Sequence, residues 1–267
     1  MTDRPIIFSA PMIRALLQEA KEQGTGKSMT RRLLYTKRTA RNGMIPASAS
    51  FLIDHPPPRG RISAAGWPTD IAPNQYYTIS PWQRVKPGDR LWVRENWRVH
   101  SWDEDSYLWI KYPADDSVKF IEDSDPDQAE RLCESVCSEL DKAGEEQDEQ
   151  GFYKSTAKLR TRPSIHLPRW ASRLTLVVTR TKIEHLQHIS EQDCECEGLV
   201  WVPTQKIWGV KVDGGYSPYG LTGQECFMNL FCDLHGPSIW RDNPEIVVIT
   251  FSVHKTNIDA MPKEIAA

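Results

Sequence analysis

The chain has 267 residues, enough for one large domain or two small ones, and 39% of them are hydrophobic, which suffices for a packed core. No apolar run approaches the length of about 18 residues that a membrane helix needs, and the amino terminus lacks the pattern of a secretory signal. The six cysteines do not follow the usual zinc-site spacings. We therefore expect reduced thiols, no metal, no cofactor, no membrane contact and a cytoplasmic location.

The net charge of −3 hides an uneven distribution along the chain. Residues 122–150 carry twelve acidic and two basic groups, a local charge of −10, so the rest of the chain has a charge of +7. A basic surface can attract an anionic partner, and the acidic segment 122–150 can dock a protein. Both patterns are also typical of ordinary solvated surfaces.

The first forty residues predict a strand, a helix and a second strand. Residues 4–9 (RPIIFS) predict a short buried strand. Residues 10–23 have apolar side chains at helical spacing, and Gly24 and Gly26 end this amphipathic helix. Residues 29–35 (MTRRLLY) predict the second strand.

The stretch 24-GTGKS-28 raises the question of a phosphate-binding loop. Such a loop needs a glycine five positions before its Gly-Lys-Ser and lies between a strand and a helix. Lys21 occupies that position here, and the order of the elements is reversed, which argues against an NTP-binding loop. Lys27, Thr30 and Arg32 instead form a K-x-x-T-x-R pattern, in which Thr30 and Arg32 share one face of the strand.

The remaining sequence predicts short strands and helices without regular βαβ alternation. The segment of about residues 36–80 is rich in proline and glycine, and we expect it to form a long loop insertion. A second insertion, about 113–160, is acidic and partly helical. Ser190 and Asp193 have the spacing of a capping box that opens a short helix stopped by Gly198. Further strands are predicted within 86–97, 107–112, 162–186, 207–213 and 245–253, and a further helix at 222–235. This content favours a single α+β domain over residues 1–267 with a barrel-like sheet.

Several blocks of the sequence resemble those of ASCH-domain proteins, relatives of the PUA RNA-binding fold. The blocks are Gly-x-Lys-x-x-Thr-Arg-Arg after the first helix, 86–97, 162–173, 189–199 and 235–251. They cover most of the chain outside 36–80 and 113–160, and their order is similar to that of longer ASCH proteins commonly encoded by bacteriophages and prophages. The resemblance implies a small PUA-like β-barrel with peripheral helices and a cleft lined by the K-x-x-T-x-R turn.

The resemblance also implies a chemistry. Some small members of the family are amidohydrolases that remove the acyl group from cytidine acylated on its exocyclic amine. In that reaction Thr30 would be acylated, with Lys27 as the base. The pKa of a free lysine is about 10.4. For Lys27 to act as a base at neutral pH, burial or a neighbouring cation must lower this pKa. The family's third residue, a strand glutamate, aligns with Val177, and Glu95 is the candidate substitute unless it pairs with an arginine.

Three functional hypotheses stay open: amide hydrolysis, non-catalytic binding of RNA or a modified nucleotide, and a phage–host protein interaction through the acidic insertion. The missing carboxylate at Val177 favours binding, whereas the trio of Lys27, Thr30 and Arg32 favours catalysis. His166 and Trp170 also fit ordinary loop and core positions. Candidates for holding a nucleoside or single-stranded RNA are Arg31, Arg32, Arg94, His166, Arg169 and Trp170.

Overall fold

A computed structural model of the chain describes residues 1–39, 75–105, 107–122, 125–212 and 215–262. These residues form a mixed α+β fold with two separate hydrophobic cores, which confirms the predicted class. The described strands form four sheets, and none of the four closes into a barrel. No helix in these ranges has both the length and the apolar character needed to cross a lipid bilayer.

A five-stranded sheet carries the first core. In spatial order its strands are β1 (Asp3–Ile7), β5 (Arg90–Arg94), β9 (Thr175–His185), β13 (Glu245–His254) and β2 (Met29–Leu33). β1 and β5 pair in parallel, and the other three pairs are antiparallel. The long β run predicted within 162–186 is β9, which begins at Thr175 after two short 3-10 turns.

This sheet curls strongly, since its two edge strands approach each other. β1 and β2 are four strand spacings apart, which is about 19 Å in a flat sheet. The Nη2 of Arg32 on β2 nevertheless donates a hydrogen bond of 2.9 Å to the carbonyl oxygen of Ile7 on β1. An arginine side chain cannot span the width of a flat sheet. A side chain, rather than a strand ladder, therefore joins the two edges.

Helix α1 (Ala10–Lys21) packs on the first core and leads into the glycine loop. The carboxylate of Glu19 accepts hydrogen bonds from the backbone amides of Gly24 at 3.0 Å and Gly26 at 2.9 Å. A Cβ on Gly26 would lie 2.2 Å from the carbonyl oxygen of Ala15, so glycine is required where the loop touches the helix. The amides that a phosphate-binding loop would offer are thus occupied by the chain's own carboxylate.

The acidic insertion folds around the second core. Residues of helix α2 (Pro126–Lys142) join this core through Val136 and Leu140, both 0% exposed. The helix is present as predicted, and its acidic residues lie on the remaining face because the apolar ones recur at helical spacing. It shares the core with three antiparallel strands, β6 (Arg98–Trp102), β7 (Leu108–Tyr112) and β8 (Ser117–Ile121). The single-domain assignment of 1–267 stays a prediction.

The proline- and glycine-rich insertion starts and ends in paired strands. β3 (Tyr35–Thr39) and β4 (Gln75–Ile79) form an antiparallel pair. The expectation of irregular chain throughout 36–80 is therefore wrong at both ends, and its central part, 40–74, lies outside the described residues. Short 3-10 turns occur at Pro81–Arg84, Ser164–His166, Arg169–Ala171 and Leu186–His188.

The carboxyl-terminal third contains a small sheet and three helices. The capping box of Ser190 and Asp193 is present and opens helix α3 (Glu191–Cys196), which confirms the local prediction. Gly198, at φ +89°, turns the chain away from the helix end. The remaining elements are β10 (Val200–Val202), β11 (Ile207–Val212), β12 (Gly215–Gly220), α4 (Gly223–His235) and α5 (Ser238–Asp242).

Candidate functional site

Lys27 lies in the turn before β2, and its side chain is 2% exposed. The Nζ donates hydrogen bonds to the Oε2 of Glu197 at 2.6 Å and to the carbonyl oxygen of Glu197 at 2.7 Å. Glu197 is the C-cap of α3. A Cβ on the next residue, Gly198, would lie 3.3 Å from the Cβ of Lys27, so the glycine allows the close approach of the two segments.

The surroundings of Lys27 set the direction of its titration. Burial lowers the pKa of the ammonium, the attraction of Glu197 opposes this, and the charges of Arg32 and Arg31 add to the lowering. The net direction is downward from the ordinary value of 10.5. This is the direction that a lysine base working at neutral pH needs.

Arg31 shares Glu197 with Lys27. Its guanidinium is 0% exposed and lies 3.3 Å from the Oε1 of Glu197, 3.0 Å from Glu184 and 2.8 Å from Asp193. Burial raises the pKa of Asp193, but a backbone hydrogen bond and the charge of Arg31 outweigh it and hold that pKa below its usual value. We call these five residues the Lys27 network. The carboxylates engage both Nη atoms of Arg31, which lets Arg31 position Glu197, whereas its buried Nε has no hydrogen-bond partner among the described residues.

Thr30 and Arg32 lie on the other face of β2, because this strand pairs with β13 without a register shift. The guanidinium of Arg32 lies 5.0 Å from the ring centroid of Phe8 and 5.3 Å from that of Trp82. Burial lowers the pKa of Arg32 to about 10, which leaves it charged at neutral pH. The Nζ of Lys27 is 5.7 Å from the same Phe8 ring, so Phe8 connects the Lys27 network to the Thr30 face.

Thr30 is 4% exposed. Its hydroxyl makes no side-chain hydrogen bond within the described ranges. Arg94, at the end of β5, lies close to this face because its carbonyl oxygen accepts a 3.3 Å hydrogen bond from the amide of Phe8. The Arg94 guanidinium is 4.4 Å from the Trp92 ring, and burial lowers its pKa. The Nε atoms of Arg32 and Arg94 are buried and have no hydrogen-bond partner among the described residues.

Glu95 is not beside Lys27. Each of its carboxylate oxygens accepts a 2.8 Å hydrogen bond from Arg173, and both side chains are buried. Burial raises the pKa of Glu95, and the bonds from Arg173 only partly oppose it. Of the two roles that the sequence leaves open for Glu95, the structure has the ion pair with an arginine, because the bidentate geometry uses both oxygens.

Three further residues that the sequence predicts for the site also lie away from Lys27. Arg169 is held by Asp259 at 2.7 Å and Asp3 at 2.6 Å. The indole nitrogen of Trp170 donates a 3.2 Å hydrogen bond to Gln128, and its ring packs against the second core. His166 is exposed in a 3-10 turn. None of the three contacts Lys27, so the structure does not unite them with the Lys27 network.

The residue that sequence reasoning missed is Glu197. Its carboxylate contacts Lys27, whereas Val177, which aligns with the glutamate of the family, is buried in β9 at 6% exposure. A signal was available, because Glu197 lies near the end of the 189–199 block and directly precedes the glycine that stops the helix. Nothing local, however, indicates which residue lies opposite it, since Lys27 is 170 positions away.

Two surface cavities lie near the glycine loop. The smaller, about 200 Å³, is lined by Gly26 and Gly198, which flank the Lys27 network, and by Arg14, Gln18 and Lys211 among others. The larger, about 460 Å³, lies next to it along α1. Neither is lined by Lys27, Thr30 or Arg32 themselves.

The described residues contain no group of three or more His, Cys, Asp or Glu side chains arranged to hold a metal ion. The six cysteines are all free thiols. Comparison of the chain with protein-family models, with curated proteins and with solved structures finds no match.

Proposed function

We propose that the chain is an ASCH-type protein of the PUA-like class that recognises a nucleobase or nucleoside beside Lys27 and hydrolyses the amide of N-acylated cytidine there. The observation that carries the proposal is the hydrogen bond of 2.6 Å between the Nζ of Lys27 and the Oε2 of Glu197. This pair combines a lysine of lowered pKa with a carboxylate that orients it, and Thr30 follows three residues later. Lysine, threonine and carboxylate are the set that the resemblance requires.

The chemistry can be written for these residues. Lys27, as the free amine, takes the proton of the Thr30 hydroxyl, and the threonine oxygen attacks the amide carbonyl carbon. The bond from that carbon to the exocyclic nitrogen breaks, and the nitrogen leaves as the amine of cytidine with the proton from Lys27. Water then hydrolyses the threonine ester, which releases a carboxylic acid and restores the hydroxyl.

The face around Thr30 suits a pyrimidine ring. Trp82 is partly exposed and offers an aromatic surface on which a base can stack, whereas Phe8 is buried in the first core at 7% exposure. Arg32 stays charged and has an Nε without a partner within the described ranges, so it can donate to a base carbonyl oxygen. The curl that Arg32 stabilises is consistent with a small barrel-like sheet of the PUA-like class.

The test is release of cytidine from cytidine acetylated on its exocyclic amine, followed by chromatography. We expect turnover by the wild type and a loss of at least about 100-fold in Lys27→Ala, the usual minimum effect of removing a general base. Thr30→Val, which replaces only the hydroxyl by a methyl group, should abolish turnover. Lys154→Ala is the matched control, because Lys154 is 55% exposed and pairs with Glu146 on the surface.

Turnover that survives in Lys27→Ala and Thr30→Val would refute the catalytic assignment. Absence of turnover in the folded wild type would refute the reaction and leave recognition alone.

A second candidate is recognition of RNA or a modified nucleotide without turnover. It is favoured by the burial of Lys27 and Thr30, at 1% and 4% exposure, because a nucleophile and base covered by protein cannot reach a substrate without movement. Binding of short single-stranded RNA that weakens with added salt, with no product formed, is the expected result for this candidate. Docking of a protein through 122–150 stays a prediction.

A further inference from the structure

Four of the eight residues that line the larger cavity, of about 460 Å³, are cationic. It lies between α1, the turn before β8, β11 and the residues after β13. Its volume is within the range of about 300–1,000 Å³ that is usual for small-molecule sites. Its charged lining residues are Arg14, Lys21, Lys211, Lys255 and Asp115.

The three lysines of this lining are exposed and form no ion pair with the described residues. The only acidic lining residue, Asp115, is already engaged: Arg173 donates to it at 3.0 Å and Ser117 at 2.8 Å. Burial raises the pKa of Asp115, but the hydrogen bond and charge of Arg173 hold it below its usual value. The cavity therefore has an excess of positive charge that no acidic group in its lining compensates.

We propose that this cavity binds a ligand carrying two or more phosphate groups. Ammonium groups are point charges with three donors each and suit phosphate oxygens without demanding one direction of approach. The lysines come from three separate segments of the chain, so a ligand with several phosphate groups can contact more than one of them. The smaller cavity shares Arg14, Gln18 and Lys211 with the larger one, so the ligand has room to extend toward Gly26.

The site is separate from the proposed chemistry, since Lys27 does not line it. A phosphate chain could belong to a free polyphosphate or nucleotide, or to the backbone of a single-stranded nucleic acid. The two sources share the same chemistry and differ in the length of ligand that binds.

The experiment titrates the full-length protein with inorganic tripolyphosphate at low salt by calorimetry. We expect binding that weakens as salt rises and a loss of at least about 10-fold in affinity in both Lys211→Glu and Lys255→Glu. This is more than the roughly 2- to 5-fold expected for loss of one surface ion pair, because each change also adds repulsion. Lys154→Glu makes the same change of charge at a lysine that does not line the cavity, so it should change the affinity less than about 2-fold.

A short single-stranded oligonucleotide serves as the second probe. Competition with tripolyphosphate and the same dependence on the two lysines would support the site and identify a nucleic-acid backbone as its ligand. Binding of tripolyphosphate alone would support the site and identify a free polyphosphate. No binding of tripolyphosphate at low salt, or an equal loss in all three variants, would overturn the proposal, since equal losses reflect net charge rather than a site.

Discussion

Replacement of Glu197 by glutamine removes one negative charge from the Lys27 network without changing the size of the side chain. Arg31 keeps two carboxylate partners, Glu184 at 3.0 Å and Asp193 at 2.8 Å. Lys27 keeps a backbone carbonyl and an amide oxygen, but within the described ranges it has no other anion. The change therefore isolates the buried ammonium and leaves the neighbouring guanidinium compensated.

The magnitude can be estimated in two ways. Removal of one partner of a buried ion pair costs about 3–5 kcal/mol, and this pair qualifies because its side chains are 2% and 7% exposed. The ammonium can also escape the penalty by losing its proton. From an ordinary pKa of 10.5, deprotonation at pH 7 costs about 4.8 kcal/mol. This is an upper limit for the charge penalty, so we expect a loss of about 3–5 kcal/mol at pH 7.

The pH dependence distinguishes this mechanism from a packing defect. Glu197→Gln lowers the pKa of Lys27 further below that of the unfolded chain. Between these two pKa values the unfolded state binds more protons, so the free energy of unfolding of the variant rises with pH relative to the wild type. The difference in the free energy of unfolding between the wild type and Glu197→Gln should shrink by up to about 1.4 kcal/mol per pH unit and be smallest near pH 10.

The assay is urea unfolding followed by tryptophan fluorescence at several pH values between 7 and 10. Lys27→Met is the matched variant: it leaves Glu197 with Arg31 at 3.3 Å, so its loss should be smaller. The double variant should be more stable than Glu197→Gln alone, because no unpaired buried cation remains. A loss below 1 kcal/mol in Glu197→Gln, or a deficit that does not change with pH, would refute the buried pair.

Changes elsewhere in the chain test backbone, titration and packing effects separately. Gly26→Ala should lower the free energy of unfolding by about 1–3 kcal/mol, because the added methyl group overpacks against α1. Gly24→Ala has open space around its Cβ but a φ of +83°, so it should cost about 1–2 kcal/mol through backbone strain alone. Thermal unfolding compares the two variants, and a Gly26→Ala variant as stable as the wild type would contradict the close contact with α1. Burial raises the pKa of Cys194 and of Cys226 to about 12 from 9.0, so the free energy of unfolding should fall by about 1.4 kcal/mol per pH unit for each thiol between these values. Replacement of both cysteines by alanine should remove this pH dependence of the free energy of unfolding. An unchanged pH dependence would show that the two buried thiols do not cause it. Leu140→Ala should cost about 2–5 kcal/mol and accelerate amide exchange in α2 but not in β2; equal acceleration in both would contradict separate cores.

Local features of this protein were determined by the sequence alone. The alternation of side chains along a strand places Thr30 and Arg32 on one face, because the pleat has a period of two residues wherever the strand lies. The capping box at Ser190 and the end of α3 at Gly198 are equally local, since they depend on hydrogen bonds and dihedral angles within one turn. The α+β class follows from the same kind of pattern.

The pairings between distant segments were decided only by the tertiary structure. The sequence offers Lys27 many carboxylates and does not show that Glu197 is the one it meets, nor that Glu95 is taken by Arg173. The sequence predicts the helix of the acidic insertion and the strand at 107–112, but it does not predict β6 and β8 or the second core that the three strands form with this helix. The bond from Arg32 to Ile7 depends on the curl of five strands. Strand and helix geometry fixes neighbours within a few residues, whereas contacts across the chain depend on the path of the whole backbone.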